Sequence, residues 1–151
     1  MIAYIRDFVL DHYYMGESFE TAVPWDKVSD LCKNVQARVI QSCKEKGVIG
    51  KSFASFRVTQ VYETGACIYI YFGFSYKGLK NAVQVYTEVE HEAREEIMKC
   101  GGSLSHHHGV GKLRKPFFKE VAGEVGVEML RAMKHKLDPK NTFATMNLID
   151  P

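Results

Sequence analysis

The 151-residue sequence predicts an α+β domain, an antiparallel sheet covered by helices. Three observations carry that expectation. Residues 67–76 alternate strictly between two side-chain sets, the signature of a strand with two different faces. Three other segments repeat apolar residues at helical period. Helical and strand-like stretches are interspersed, and two strands lie close enough in sequence to be joined as a hairpin.

Ala3-Tyr4-Ile5-Arg6 already reads as structured, and Phe8 and Leu10 follow without a flexible lead-in, as expected of a segment from a larger fold. Tyr13 to Val23 mixes aromatic and β-branched residues and reads as a strand ending at Pro24. Asp26 is placed to cap a helix in which Val28, Leu31, Cys32, Val35 and Val39 form one stripe, with Gly47 as its stop. Phe53 to Tyr62 reads as the next strand. After Glu63-Thr64-Gly65 comes the alternating one, with Ile68, Ile70, Phe72, Phe74 and Tyr76 on an apolar face and Cys67, Tyr69, Tyr71, Gly73 and Ser75 on the other. The second face, with two phenols and small residues, suits a cleft.

A helix over about 81–99 turns Ala82, Val85, Tyr86, Val89, Ala93 and Ile97 inward and presents Glu88, Glu92, Glu95 and Glu96 to solvent; Gly101-Gly102 ends it. A glycine-rich loop with three consecutive histidines follows. The last helix starts near Pro116, carries the stripe Phe118, Val121, Ala122, Val125, Met129, Ala132 and Met133, and closes at Asp138-Pro139.

Composition is that of an ordinary globular domain, 46% hydrophobic and 25% charged, and one domain over 1–151 is the simplest organisation. A formal net charge of +2 is too mild to argue for nucleic acid. Cys32, Cys43, Cys67 and Cys100 are scattered with no CxxC pair, which speaks against a zinc ribbon or a disulfide framework and for a reducing compartment. No apolar run is long enough to span a bilayer, there is no secretory signal, and the chain does not end in a peroxisomal SKL address.

His106-His107-His108 is the most unusual feature. Imidazoles exchange protons near neutral pH and, when charged, meet phosphate. The bland alternative is a solvated polar turn or an incidental metal-binding tract. Consecutive histidines reach one tetrahedral ion poorly, so no metal site is expected. Gly109-Val110-Gly111-Lys112 fails as a phosphate loop because Leu113 stands where Ser or Thr is required. The run Lys112, Arg114, Lys115, Lys119 either attracts an anion or is solvated surface. Tyr69 can act as an acid or hydrogen-bond donor, or simply pack; Arg6 can clamp an anion, or form a surface ion pair.

With these residues in view, the segment Gly101 to Lys115 resembles the histidine-triplet loop of the alkylglycerone-phosphate synthase family, within the FAD-linked oxidases. The stretches IAYIRD, GESFETAVPWD, RVTQVYETGACIYIYF, AREEI and DPKNTF are similar to that family too, so the likeness runs essentially end to end. Other FAD-linked oxidases, the D-2-hydroxyacid dehydrogenases among them, carry Glu where His107 stands, and the triplet favours the ether-lipid family.

The resemblance implies a carboxy-terminal substrate or cap domain that closes over FAD, with the flavin held mainly by an amino-terminal domain absent from this sequence. It implies replacement of the fatty acid of acyl-dihydroxyacetone phosphate by a fatty alcohol, through an adduct at the flavin and with no net redox change. A peroxisomal enzyme on the luminal membrane surface, and a homodimer, are implied as well. By resemblance Tyr69 matches a catalytic tyrosine, Arg6 a substrate-binding arginine, and His106, His107 and His108 the triplet needed for activity. The tail 145–149 matches a further required segment, with Asn147 a candidate for flavin contact. Ala144, Thr145 and Met146 depart from the family's Gly-Asn-Arg, so an arginine is lost. Two alternatives stay open, the cap domain of a D-2-hydroxyacid dehydrogenase and a non-catalytic remnant; in each case the chain alone should not hold FAD tightly.

Overall fold

The computed structural model describes residues 2–150, in two compact units, one running to His106 and the other from His107 onward. The first unit contains helices α1 (Ile2–Asp11), α2 (Val28–Glu45) and α3 (Ala82–Lys99) and strands β1 (Tyr14–Pro24), β2 (Ser52–Val61) and β3 (Gly65–Ser75). The second contains α4 (Lys115–Leu137). The strands form one sheet in the order β1-β3-β2, both pairs antiparallel, as an α+β fold requires.

Strand alternation sorts the sheet into two faces. Phe19, Val23, Ala54, Ile68, Ile70, Phe72 and Phe74 pack against Leu31, Val35, Val39 and Cys43 of α2 and Val89, Ala93 and Ile97 of α3. Each Val, Leu, Ile or Phe among them contributes about 1.5–3 kcal/mol by leaving water. Phe72 sits at the centre, edge-on to Phe19 and stacked on Tyr86, with ring centroids 5.8 and 5.6 Å away. The opposite face carries Tyr69 and Tyr71.

Helix ends follow local chemistry, with one correction. Asp26 does not cap α2. Residues Trp25–Lys27 form a 3-10 turn, and Lys27 precedes the helix without a side-chain cap bond. The turn is used elsewhere: the Trp25 indole donates to the Tyr62 carbonyl (2.9 Å), tying β1's end to the β2–β3 hairpin. Gly101, at φ 78, ends α3 in the left-handed conformation that glycine adopts freely. There Gly101 and Gly102 donate to the Met98 and Ile97 carbonyls, both at 2.9 Å.

Three further features differ from the sequence-based expectations. The structured start is a helix, α1, whose Tyr4, Ile5, Phe8 and Leu10 are all exposed, so no inward stripe marks it. The acidic side of α3 is not merely solvated. Glu92 accepts from Arg38 (2.6 Å) and Lys46 (2.9 Å), and Glu88 also pairs with Lys46 (2.9 Å), joining α3 to α2. On α4 the buried residues are Phe117 and Val127, whereas Val121, Val125, Met129 and Met133 of the expected stripe are exposed. Gly123, at φ 71 and ψ 165, breaks the helical path inside α4 and resets its phase. All four cysteines are free thiols.

Candidate functional site

On the side of the sheet away from α2 and α3, the first unit presents a face with chemistry on it. The register places Tyr69 between Glu20 of β1 and Arg57 of β2, so all three side chains emerge on the same face. One step along, Tyr71 lies between Ser18 and Ser55. Tyr69 and Tyr71 have ring centroids 6.2 Å apart. Arg57 is exposed.

A bulge in β2 completes this face. Val58 pairs with Ile68, but Gln60 rather than Thr59 pairs with Cys67. The extra residue swings Gln60 to the side of Tyr69.

The chain leaving α3 runs along the free edge of β1. Ser103 donates its N–H to the Ala22 carbonyl (2.9 Å), its hydroxyl oxygen accepts from the Ala22 N–H (2.9 Å), and its carbonyl accepts from the Thr21 hydroxyl (2.8 Å). Beyond it, the Ser105 hydroxyl and the His106 N–H donate to the two oxygens of Glu20, at 2.8 and 2.7 Å. The His106 ring then crosses to β2, where Nε2 lies 2.8 Å from the Tyr62 hydroxyl and 3.1 Å from Gln60 Oε1. Tyr62 itself donates to Gln60 Oε1 at 2.7 Å. Tyr62, Gln60 and the His106 ring thus form one closed hydrogen-bonded cluster. The buried Cys67 thiol lies within 4.8 Å of the ligand nitrogen of His106.

Electrostatics give Tyr69 a definite state. Burial, and then the charges of Cys67, Glu20 and Tyr71, push its phenol above the ordinary range. At neutral pH it is therefore protonated, able to donate a hydrogen bond or a proton.

The structure brings Tyr69 and His106 to one face but does not bring Arg6 there. Arg6 pairs with Glu17 at 3.5 Å, and Glu17 is registered opposite Phe72, on the helix-covered side. A cavity of about 210 Å³ beside it is lined by Val9, Met15, Val83 and Tyr86 among others.

In the second unit His107 and His108 are exposed and meet edge-on, with centroids 4.5 Å apart. Gly109 and Gly111 are left-handed, at φ 79 and 59, and Arg114 donates to the Gly109 carbonyl at 2.6 Å. The tail folds back on this loop, Leu148 N–H donating to the Gly111 carbonyl (3.2 Å) and Asn147 N–H to that of Ala144 (3.0 Å). Ala144 is itself left-handed, at φ 49, where the resemblance expects glycine. The basic run is largely committed: Lys115 pairs with Asp150, and Lys119 with Glu124 at 2.7 Å. With Lys112, Arg131, Phe118 and Val127 these residues line a cavity of about 470 Å³.

Glu20, Gln60 and Tyr62 were not singled out from the sequence. Glu20 and Gln60 reach the site through register, which only strand pairing reveals. Tyr62, at the hairpin turn, could have been flagged as an aromatic next to a strand end.

The chain is similar to known proteins along nearly its whole length. Residues 1–148 match the family described as FAD linked oxidases, C-terminal domain. An alkyldihydroxyacetonephosphate synthase of Caenorhabditis elegans is 54% identical over 99% of this chain, and one of Dictyostelium discoideum is 31% identical over 98%. The chain spans about a quarter of those relatives, 25% and 24% of their lengths. A solved alkyldihydroxyacetonephosphate synthase structure superposes on 91% of the chain and 22% of its own, with a TM-score of 0.62 and 26% identity.

Proposed function

The chain belongs to the family of FAD-linked oxidase carboxy-terminal domains, and on that premise we propose that it is the substrate-side domain of an alkyldihydroxyacetonephosphate synthase. Such an enzyme exchanges the acyl group of acyl-dihydroxyacetone phosphate for a fatty alcohol and so forms an ether bond. One observation supports this above others. Tyr69 and the first histidine of the triplet share the sheet face away from the helices, in a chain similar to the synthases along nearly its whole length.

The chain on its own does not fit the flavin as a cradle. Its glycine loop at 109–111 is followed by Lys112 and Leu113 rather than a phosphate-loop pattern, and Gly111 receives the Leu148 N–H on its carbonyl. FAD would be held mainly by residues outside this chain, and when bound it would supply a redox-capable centre.

What these residues do is proton management and binding. The exchange releases a carboxylate and consumes an alcohol, whose proton must be taken up. Tyr69, held protonated, stabilises developing negative charge on the departing oxygen by hydrogen bonding. His106, oriented through Nε2, is the imidazole placed on the same face for proton transfer. His107 and His108 stand next in the chain as further candidates. Arg6 as the ligand of the substrate phosphate rests on the family resemblance; here it pairs with Glu17, away from the Tyr69 face. Asn147 as a flavin contact, a homodimer, and a peroxisomal, membrane-facing location rest on the family resemblance.

The test replaces the matching quarter of the C. elegans synthase with this chain and follows flavin content and acyl-to-alkyl exchange. Exchange at a rate within about tenfold of the parent supports the proposal. A flavin-loaded hybrid without exchange refutes it, and flavin bleaching by a 2-hydroxyacid would point to a dehydrogenase instead. Tyr69→Phe should cut kcat by about 10²–10⁴-fold with flavin retained; near-normal turnover would remove Tyr69 from the mechanism.

A further inference from the structure

We infer that Glu20 is a positioning residue, whose carboxylate clamps Ser105 and His106 against the sheet face away from the helices, beside Tyr69, and so places the histidine for the exchange. The catalytic half of this inference rests on the function proposed above; the clamp itself does not.

The side chain is unusual for where it sits. Glu20 lies in β1, an edge strand, yet it is 0% exposed. A carboxylate removed from water is unfavourable unless donors replace the lost hydration. Each oxygen is engaged by a separate donor of one short segment, Oε1 by the Ser105 hydroxyl at 2.8 Å and Oε2 by the His106 N–H at 2.7 Å. Hydrogen bonds to an ionised acceptor are the stronger, shorter class. An apolar residue would fill the same space without a desolvation cost but could hold neither donor.

The position of these bonds gives the clamp its consequence. Ser103 is fixed independently, through Thr21 and Ala22, but that attachment ends two residues short of Ser105. Glu20 is the β1 side chain that reaches the backbone of His106 itself, and it is the cross-strand neighbour of Tyr69. The His106 ring is tied at the far side of the sheet, to Tyr62 and Gln60 of the β2 end. His106 is therefore suspended between the two outer strands, across the buried Cys67 of the central one. Without the β1 anchor the His106 backbone is released from Glu20 while its ring stays tied to the β2 end, and the histidine loses its fixed offset from Tyr69. Glutamine keeps the length but replaces one acceptor oxygen by an NH₂, which faces a donor; aspartate keeps both oxygens on a shorter arm.

The clamp is tested in Glu20→Gln, with Glu20→Asp as the conservative control, by two measurements. Maleimide alkylation of the full chain, mapped by mass spectrometry, reports whether Cys67 is uncovered, and the buried Cys43, in the helix-side core, reports general loosening. Turnover of the flavin-loaded full-length protein reports placement. Glu20→Gln should raise Cys67 alkylation about tenfold or more with Cys43 still protected, since exposure governs thiol reactivity. It should lower kcat about 10²-fold per bound flavin with KM within about twofold, the size of effect a displaced catalytic group produces, and Glu20→Asp should recover part of it. Unchanged Cys67 protection overturns the clamp. Equal loss of Cys43 protection overturns it too, showing a merely structural role. Cys67 exposure with wild-type kcat overturns the catalytic half. A wild-type holoprotein inactive in exchange, together with selective Cys67 exposure in Glu20→Gln, defeats the proposed function and upholds the clamp.

Discussion

Replacing Gly102 by alanine tests how the end of α3 launches the histidine loop. A Cβ built on Gly102 would lie 2.7 Å from Ile97 Cγ2, 2.7 Å from Thr21 Oγ1 and 2.9 Å from Leu31 Cδ1. These distances are far inside van der Waals contact, and all three neighbours are buried, so none can swing into solvent. Overpacking of this kind costs about 1–3 kcal/mol. Displacing Thr21 also breaks its 2.8 Å bond to the Ser103 carbonyl, a loss of about 1 kcal/mol. The sum is about 2–4 kcal/mol, or a fall of about 1–2 M in the urea midpoint at an ordinary m-value. Gly101→Ala is the matched control. Gly101 is left-handed at φ 78, but its Cβ would meet only the flexible end of Lys27, with Nζ at 2.9 Å, so the backbone term of about 1–2 kcal/mol dominates. Urea unfolding of both variants, followed by circular dichroism, decides the matter. If Gly102→Ala is no less stable than Gly101→Ala, the packing argument is wrong.

Other substitutions probe separate parts of the fold. Glu92→Gln should cost about 1 kcal/mol at pH 7, because Arg38 and Lys46 lose a shared anion. Burial pushes the Glu92 carboxyl up, but Ser42, Lys46 and Arg38 together outweigh it and the group is held below its usual 4.5. A depressed pKa contributes stability that is complete above the unfolded value and lost as pH falls below it. Wild type should therefore lose more stability than Glu92→Gln between pH 6 and pH 3 in parallel urea titrations, and equal losses would contradict the assignment. On α4, Val127→Ala should cost about 1–3 kcal/mol while Val125→Ala stays within about 0.5 kcal/mol. Differential scanning calorimetry giving the reverse order would show that Gly123 does not shift the helix phase as described.

Features that depend on a few neighbouring residues were legible in the chain before folding. The alternation of 67–76 defined a two-faced central strand and put Tyr69 on the face away from the helices, because side-chain direction in a strand depends only on position parity. The stripes of α2 and α3 were legible for the same reason, and Gly47 and Gly101 marked their ends through backbone conformation alone. End-to-end likeness to one family named the chemistry to look for.

Tertiary structure decided which residues meet. Glu20 joins Ser105 and His106 across 85 and 86 residues, and the bulge that turns Gln60 toward His106 is a one-residue slip in pairing. Neither leaves a local trace, since register is chosen by packing over the whole sheet. α1 was not legible as a helix because Tyr4, Ile5, Phe8 and Leu10 are exposed and form no core-facing stripe, and the α4 stripe was misplaced because Gly123 interrupts a period that the sequence shows as continuous. Arg6 keeps its identity in the sequence but takes its present partner, Glu17, from the strand register. Local periodicity is set by backbone geometry; the site is set by contacts between strands and loops that the chain brings together only when folded.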